Sequence, residues 1–318
     1  MDQQIFAPKP KPGETWDVII IGSGPSALTA AIYTTRGAAS TLILAGETWG
    51  GQLINTTSVD NFPGFPEGIQ GPDLMANMRK QAERFGTEVL EKRVEKVDFA
   101  KKPFEVFATG EKYLGKAVII ATGAETLWLG VPGEKELIGR GVSTCAPCDA
   151  PFFKDKKVAV VGGGDSAMEE ASTLTKYASE VTMIHRGDSF KASEAMQKKV
   201  LGNPKIKILW NTEVTEIVGT GKVEKIKIKS NKTGKEEEIV LDGIFVAIGH
   251  KPDSEVFTGQ VDKDEKGFVK VTGGHSHTSV GGVFVAGDVM DPYYKQAITS
   301  AGSGCAAALE VLKYLDEM

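Results

Sequence analysis

Two cysteines separated by two residues, Cys145-Ala-Pro-Cys148, are the part of this sequence best suited to chemistry. This spacing allows the two sulfurs to meet across one short turn as a reversible disulfide, and the pairing lowers the pKa of one thiol. The thiolate is the form that attacks in disulfide exchange. Asp149 follows at once, where a carboxyl group can carry a proton to the departing thiolate. The pattern predicts a redox dithiol with Cys145, Cys148 and Asp149 as its catalytic residues.

Other interpretations of the cysteines remain open from the sequence. A zinc site would need further ligands, for which His275 and His277 are the candidates, but the chain has no second C-x-x-C motif. Unpaired structural cysteines are another alternative. The third cysteine, Cys305, lies in a helical stretch of small residues and is predicted to be a buried packing residue. We therefore expect no metal site.

A glycine-rich turn occurs twice, beginning at Gly22 and at Gly162. Each copy follows a short apolar strand and opens a helix, so backbone N–H groups and the helix dipole converge on a spot that favours a pyrophosphate. The two copies predict two nucleotide-binding folds in one chain. The strands and helices concerned are residues 17–21, 28–35, 158–161 and 168–177.

The ribose positions distinguish the two predicted nucleotides. After the second turn, residues 181–186 are predicted to form the end of the next strand. An acidic residue at this strand end would bind the 2′-hydroxyl of NAD. This chain has Arg186 there, with Lys191 nearby, and cations suit a 2′-phosphate. After the first turn the corresponding strand end, residues 42–46, offers no acid unless Glu47 substitutes. The second site is therefore predicted to bind NADP(H).

The order of the strand patterns predicts how the domains are arranged. Short buried strands ending in Gly, at 117–123 and 244–249, bracket the second turn, and a strand of the first type returns at 283–288. We predict an α/β fold of two Rossmann-like, three-layer domains, the second inserted into the first. The predicted parts are a flexible tail (1–15), a discontinuous first domain (16–123 and 250–318) and an inserted domain (124–249). Residues 105–108 and 223–228 are predicted antiparallel strands, and 232–238 a solvated hairpin turn.

Composition excludes several classes of function. The net charge is −5 over 318 residues and no run of Lys or Arg is present, which disfavours a nucleic-acid partner. No apolar stretch is long enough to span a bilayer. The first 14 residues are polar and Pro-rich, unlike a signal peptide, and three cysteines are too few for a secreted disulfide framework. We expect a cytoplasmic protein.

The chain closely resembles the low-molecular-weight thioredoxin reductases from about Trp16 to its C-terminus. The order and spacing of several motifs together carry the resemblance. They are Gly22-Ser-Gly-Pro, Gly50-Gly-Gln-Leu53, Asn61-Phe-Pro-Gly64, Ala121-Thr-Gly123, Cys145-x-x-Cys148-Asp149, Gly162-Gly-Gly-Asp165, Ala286-Gly-Asp-Val289 and Gln296-Ala297.

The resemblance implies an FAD- and NADPH-dependent homodimer that reduces thioredoxin. Hydride would pass from NADPH to the flavin and then to the Cys145–Cys148 disulfide, with Cys148 facing the flavin, Cys145 attacking thioredoxin and Asp149 as acid and base. The inserted domain would swing about its two connections. Asp288 by itself is also consistent with a helix N-cap. By resemblance, the residues that contact FAD are Gly22, Gly24, Gln52, Asn61, Asp288 and Gln296, and those that contact NADPH are Gly162, Gly164, Ser166, His185, Arg186 and Lys191.

Some positions depart from the family pattern. Gly187 and Lys191 stand where the family commonly has Arg, which leaves NADH or another donor as an alternative. Phe152 and Phe153 are predicted either to dock thioredoxin or to lie in the core. A flavoprotein that serves a peroxiredoxin-type system is the second functional hypothesis, although the extra N-terminal region usual in that group is absent. A non-catalytic flavin and dithiol redox sensor is the third.

Overall fold

A computed structural model gives the fold of residues 7–318. Strands and helices alternate along most of the chain. The strands are β1 (Thr15–Ile21), β2 (Thr41–Leu44), β3 (Ser58–Val59), β4 (Ile69–Gln70), β5 (Glu88–Leu90), β6 (Val94–Asp98), β7 (Phe104–Ala108), β8 (Glu111–Ile120), β9 (Ala124–Thr126), β10 (Val142–Ser143), β11 (Lys157–Val161), β12 (Glu180–His185), β13 (Ile206–Trp210), β14 (Thr212–Val218), β15 (Lys225–Ser230), β16 (Glu236–Val240), β17 (Gly243–Val246), β18 (His250–Pro252) and β19 (Val283–Val285). The helices are α1 (Pro25–Arg36), α2 (Gly71–Arg84), α3 (Ala146–Asp149), α4 (Asp165–Leu174), α5 (Glu194–Leu201) and α6 (Ala297–Asp316).

The chain divides into two compact units. The first unit comprises the chain up to Glu125 together with Lys251–Met318, and the second unit is Thr126–His250. The connecting strands β9 and β18 pair with each other. The predicted tail falls partly outside the described residues; within them, Lys9 pairs with Glu88 and Thr15 is already the first residue of β1.

A seven-stranded sheet forms the centre of the first unit, in the order β5-β2-β1-β8-β7-β6, with β19 also paired to β8. The strands β5, β2, β1, β8 and β19 are parallel to one another, and β7 and β6 form an antiparallel edge next to β8. Alternate residues of β1 serve opposite faces of the sheet, as strand geometry requires. Val18 and Ile20 join a core with α1 and α6, whereas Ile19 and Ile21 join one with Phe104 on the other face. Both faces are therefore covered, as expected for parallel strands.

The second unit repeats this plan on a smaller scale. Its five parallel strands run in the order β10-β17-β11-β12-β13, and a separate antiparallel sheet, β14-β15-β16, covers one face. Val158 and Val160 of β11 pack towards α4, while Ala159 and Val161 pack towards the antiparallel sheet. Two three-layer α/β units result, which confirms the predicted fold class.

The boundaries of several elements differ from those predicted. The helix predicted at 28–35 begins earlier, at Pro25, because proline suits the first helical position. The helix predicted at 168–177 ends at Leu174, and the three residues after it form a turn. The predicted turn at 232–238 is shorter, since Glu236 is the first residue of β16, paired with Lys229.

Candidate active site

Cys145 and Cys148 form a disulfide at the start of α3, with their Cα atoms 5.3 Å apart. The local sequence explains this turn. Cys145 has extended backbone angles at the helix N-cap, and its carbonyl oxygen accepts the N–H groups of Cys148 (3.2 Å) and Asp149 (3.0 Å). Pro147 is tolerated because the first turn of a helix needs no N–H there. Both cysteines are partly exposed, which leaves the pair open to exchange.

Asp149 is tied to the cysteines through Ser143, the last residue of β10. The Ser143 hydroxyl donates to Asp149 Oδ2 at 2.5 Å and accepts the Cys145 N–H at 3.1 Å. Ser143 is buried in the parallel sheet, so its position is set by strand pairing. The carboxyl group predicted to move protons is therefore fixed relative to the first cysteine. Ser143 could not be identified from the sequence, because nothing in the spacing distinguishes it from other strand residues.

A second carboxyl group, Glu170 of α4, also lies at this turn. One of its oxygens accepts the N–H of Ala146. Burial raises the pKa of Glu170 to about 8; Asp149 and Glu169 add to this rise, and the Ala146 N–H opposes it. Glu170 could not be identified from the sequence either, since the Glu169-Glu170 pair is typical of an exposed helix face.

The second glycine-rich turn leaves an open N-terminus on α4. Gly162 has φ +156°, and a side chain there would meet the carbonyl group of Ala247. Gly164 is the N-cap residue, with no side-chain cap and open space where a Cβ would stand. Ser166, in the first turn, is exposed. Free N–H groups at a helix N-terminus, with no Cβ in front of them, suit a pyrophosphate.

The loop after β12 folds back onto this turn. The His185 ring lies where a side chain on Gly163 would be, and its Nε2 is 2.9 Å from the carbonyl oxygen of Ser189. The Lys191 N–H donates to the Gly163 carbonyl oxygen at 2.8 Å. Arg186 and Lys191 are both exposed, and within residues 7–318 neither is in an ion pair. Arg186 follows the last residue of β12, one position beyond the strand.

The first glycine-rich turn opens α1 in the same way. Gly22 has φ +118° and lies against the backbone of Ala121, and Gly24 is an uncapped N-cap residue that faces open space. Ser23 between them donates its hydroxyl to the Ala45 carbonyl oxygen at 2.9 Å and accepts the Gly50 N–H at 3.0 Å. The turn is thus bonded to the end of β2 and to the loop that follows it.

Three further predicted contact residues belong to the first unit. Gln52, in a short 3-10 turn beside Gly24, donates to the Ala124 carbonyl oxygen at 3.4 Å. The Asn61 amide donates to Gln296 Oε1 at 3.4 Å. Gln296 is the N-cap of α6 and forms a capping box with Thr299. Asn61 and Gln296, 235 positions apart, are therefore brought together by the fold.

Asp288 follows β19 and lies beside α6 without capping it, because Gln296 is the cap residue. The Ser300 hydroxyl donates to Asp288 Oδ1 at 2.6 Å. Burial, with a contribution from Asp291, raises the pKa of Asp288. Gly287, just before it, has φ +80° and would meet the Ser26 hydroxyl if it carried a side chain. The strand end is thus packed directly onto the first turn of α1.

The donor set of each unit fits a dinucleotide. The first unit presents uncapped helix N–H groups, a carboxyl group at Asp288 and the amides of Asn61 and Gln296, which suit a pyrophosphate, a polyol chain and a heterocycle edge. The second unit presents a similar helix N-terminus with the exposed cations Arg186 and Lys191, which suit a nucleotide with an additional phosphate.

The remaining residues named from the sequence differ in burial and in contacts. Phe153 is buried edge-on against Phe245, whereas Phe152 is 51% exposed. Cys305, predicted to be a buried packing residue, is a free thiol that contacts Tyr33 and is partly buried. His277 pairs with Glu310 at 3.2 Å. Among the described residues, no group of three or more His, Cys, Asp or Glu is arranged to hold a metal, and no helix is long and apolar enough to cross a membrane.

Comparison with known proteins places the chain in a family. The model of the pyridine nucleotide-disulphide oxidoreductase family matches residues 16–304. A thioredoxin reductase of Streptomyces clavuligerus is 50% identical over 301 residues, which cover 94% of each chain. One from Mycolicibacterium smegmatis is 50% identical over 301 residues, 95% of this chain and 97% of that one.

A solved structure agrees with these relatives. The thioredoxin reductase from Giardia duodenalis has a TM-score of 0.91 and 42% identity, covering 95% of this chain and 99% of that one. The Cys145–Cys148 disulfide lies on a unit with a glycine-rich turn, and relatives of this identity match the chain along nearly its whole length. The chain therefore belongs to the thioredoxin reductases of the pyridine nucleotide-disulphide oxidoreductase family.

Proposed function

We propose that this protein passes electrons from NADPH through FAD to the Cys145–Cys148 disulfide and from there to oxidised thioredoxin. The observation that carries the proposal is the disulfide itself, set beside Asp149 on a unit that also has an open nucleotide turn. A redox sensor would need the dithiol but would not need two dinucleotide sites.

The first unit would hold FAD, which supplies two-electron transfer between a nicotinamide and a disulfide. Gly22 and Gly24 let the pyrophosphate approach the backbone N–H groups of α1. Asp288 accepts from hydroxyl groups, and Asn61 and Gln296 offer amide donors and acceptors at the neighbouring edge. Gln52 follows Gly51, which lies against Gly24, and its amide reaches the Ala124 carbonyl oxygen, so it would be within the same loop as the bound group.

The second unit would hold NADPH at its own glycine-rich turn. Gly162, Gly164 and Ser166 would receive the pyrophosphate at the start of α4. Arg186 would pair with the 2′-phosphate, and Lys191, anchored to Gly163 through its backbone, would add a second positive charge. Gly187 leaves one fewer cation than is usual in the family. The preference for NADPH over NADH therefore depends on Arg186 and Lys191.

Thiol–disulfide exchange by the reduced protein follows from the two sulfurs. The Cys145 thiolate attacks one sulfur of the thioredoxin disulfide, forming a mixed disulfide and expelling the other thioredoxin sulfur as a thiolate. Cys148 then attacks Cys145, which restores the internal disulfide and releases the second thioredoxin sulfur. Asp149, fixed by Ser143, removes a proton from the attacking thiol and donates one to a departing thiolate. Two electrons leave the protein and thioredoxin gains two electrons and two protons.

We also propose a cytoplasmic homodimer, as in the family. The helices α1 and α6 of the first unit carry exposed apolar side chains at Tyr33, Ile298 and Leu309, which supports a protein interface there. Light scattering after gel filtration measures the mass of the assembly. A single chain at micromolar concentration would contradict the dimer.

An anaerobic titration tests the electron donor. We expect NADPH to bleach the flavin of the purified protein at lower concentration than NADH, and thioredoxin to reoxidise it. Cys145→Ser should lower thioredoxin reduction by at least about 10³-fold while leaving flavin reduction by NADPH intact. Cys305→Ser is the matched control and should be fully active. If neither nicotinamide reduces the flavin, the assignment of NADPH is wrong.

A further inference from the structure

We call the segment Cys145–Cys148, closed by the disulfide, the redox turn. The carboxyl group of Glu170 lies at this turn, and the proposed exchange steps do not use it. It projects from α4, is partly buried, and accepts the N–H of Ala146, the residue between Cys145 and Pro147. A carboxyl group directed at the backbone of a catalytic turn fixes that backbone, because a hydrogen bond specifies both distance and direction.

The redox turn is held from two sides. On one side, the Cys145 N–H is bonded to Ser143 of β10. On the other side, the next N–H along the chain, that of Ala146, is bonded to Glu170 of α4. Two successive amide groups are therefore anchored on two different elements of the second unit. The helices α3 and α4 are in contact, and Ala146 is part of the buried core that α4 also lines.

The turn needs such anchors when its disulfide is open. The helix α3 has four residues, which is far too short to be stable by itself. In the oxidised protein the Cys145–Cys148 bond closes the turn covalently. In the reduced protein that bond is absent, and the sulfurs are kept close by the hydrogen bonds to the Cys145 carbonyl oxygen and by contacts with neighbouring elements. The effective concentration of one sulfur at the other then depends on Ser143 and Glu170.

The protonation of Glu170 is compatible with this role. Burial is the main cause that raises the pKa of Glu170 to about 8, and the neighbouring carboxyl groups of Asp149 on α3 and Glu169 on its own helix add to the rise. A raised pKa favours the neutral form at pH 7, and an oxygen of the neutral carboxyl group can still accept the Ala146 N–H. The charged residues on the other elements packed on α4 do not contribute to this shift; they are Lys157, Glu180, His185, Glu194, Lys198 and Lys199.

We propose that Glu170 is a positioning residue for the dithiol, which holds the redox turn through the Ala146 N–H and so sets the equilibrium and rate of exchange at Cys145 and Cys148. The proposal rests on the proposed thioredoxin reductase function. Glu170 acts on the backbone, and its charge is not required. Loosening the turn lowers the effective concentration of the paired sulfurs, so the disulfide becomes easier to reduce and slower to reform.

Two variants separate the hydrogen bond from the charge. Glu170→Gln keeps an acceptor at the same reach and removes the titrating group, whereas Glu170→Asp keeps a carboxyl group but shortens its reach by one methylene. Glu180→Gln is the control, because it removes a carboxyl group from the surface of the same unit, where Glu180 pairs with Lys207.

The experiment equilibrates the FAD-loaded proteins with a dithiothreitol redox buffer at pH 7 and measures the reduced fraction of the dithiol by alkylation and mass spectrometry. For Glu170→Asp we expect the equilibrium to move about tenfold towards the dithiol, or about 30 mV for a two-electron couple. Glu170→Gln and Glu180→Gln should stay within about twofold of the wild type. In turnover with thioredoxin, Glu170→Asp should lower kcat and leave KM unchanged.

Three results would overturn the proposal. The first is a Glu170→Asp protein with the wild-type equilibrium. The second is a Glu170→Gln protein shifted as far as Glu170→Asp, because an acceptor at the original reach would then not be sufficient to hold the turn. The third applies if Glu170→Asp does not fold, which flavin absorbance and thermal melting would show. In that case a Glu170→Gln shift beyond about twofold would by itself overturn the proposal. The redox-buffer equilibrium needs neither NADPH nor thioredoxin, so a failure of the proposed function shows only in turnover.

Discussion

The two glycine-rich turns have the same backbone plan but differ in what surrounds them. In the first turn, the Ser23 hydroxyl bonds to the Ala45 carbonyl oxygen and the Gly50 N–H, so the turn, the end of β2 and the following loop form one hydrogen-bonded unit. The second turn has Gly163 at the matching position, and the His185 ring lies against it. Exposed cations, Arg186 among them, follow the neighbouring strand.

This difference matches two kinds of ligand. A turn that a buried side-chain hydroxyl bonds to two neighbouring segments is suited to a group that stays bound through many turnovers. A turn bordered by a ring and exposed cations is suited to a molecule that binds and leaves in each cycle. The helices diverge too: six residues after the N-cap, α1 has the fully buried Ala30 and α4 has Glu170. The helix that follows the second glycine-rich turn therefore also reaches the redox turn, through Glu170.

The largest expected effect comes from a negative charge at each turn. Gly24→Asp and Gly164→Asp place a carboxylate at a helix N-cap, where aspartate is well tolerated, so the protein should fold. The carboxylate would then repel the pyrophosphate and compete for its N–H donors. We expect Gly24→Asp to purify without flavin. Gly164→Asp should keep its flavin and raise the KM for NADPH by at least about 100-fold.

The matched controls are Gly24→Ser and Gly164→Ser, which cap the helices without adding charge. Absorbance at flavin wavelengths and steady-state kinetics measure the two outcomes. A Gly164→Asp protein that loses flavin, or a Gly24→Asp protein that keeps it, would reverse our assignment of the two sites.

Arg186→Ala should have the next largest effect. Loss of one charge-assisted contact to a 2′-phosphate is expected to raise the KM for NADPH about 10- to 100-fold and to leave the KM for NADH unchanged. Lys232→Ala, which removes another exposed cation of the same unit, is the control. An equal rise for both nicotinamides would mean that Arg186 contacts some other part of the molecule.

Ser23→Ala should have a smaller effect that is confined to the first unit. It removes two hydrogen bonds and leaves the Gly50 N–H without its partner. We expect a loss of about 1–3 kcal/mol in the free energy of unfolding and faster release of FAD. Thr34→Val is the control, because it breaks a buried hydroxyl pair with Thr41 elsewhere in the unit. Equal FAD release from both variants would argue against a special role for Ser23.

The chemistry of the site could be predicted from the sequence wherever it depends on local spacing. The pattern Cys145-x-x-Cys148 requires only a short turn, and a strand–glycine–helix pattern fixes where a pyrophosphate can bind. For the same reason, the strand patterns predict two parallel sheets, with the segment that forms the second sheet inserted into the first. The limits of helices were less certain, as at Pro25, because a cap residue depends on contacts beyond the helix.

The supporting residues could not be predicted, because they act across long separations in the sequence. Glu170 reaches Ala146 from another helix, and its polar neighbours in sequence suggested an exposed surface. Nothing in the sequence around Ser143 marks it as a partner of Asp149; only the fold places the two side chains together. Asn61 and Gln296 were named by resemblance, and only the tertiary structure brings their side chains to 3.4 Å.

Glu170→Gln provides the last and smallest prediction, a change in how stability depends on pH. The pKa of Glu170 is raised from 4.5 to about 8 in the folded protein, so the folded state binds this proton more tightly than the unfolded chain does. That stabilisation is fully present below about pH 4.5 and is lost as the pH rises to about 8. Glu170→Gln has no such proton to lose.

The melting temperature of the oxidised protein should therefore fall by several degrees more between pH 5 and pH 8 in the wild type than in Glu170→Gln. As the pH rises, other groups with raised pKa values, such as Asp288, lower the stability of the wild type and of Glu170→Gln equally. The difference between the two curves of melting temperature against pH therefore isolates Glu170. Glu180→Gln should follow the wild-type curve. Parallel curves for wild type and Glu170→Gln would mean that Glu170 titrates like an exposed carboxyl group, and that α4 is linked to the redox turn more loosely than its contact with Ala146 implies.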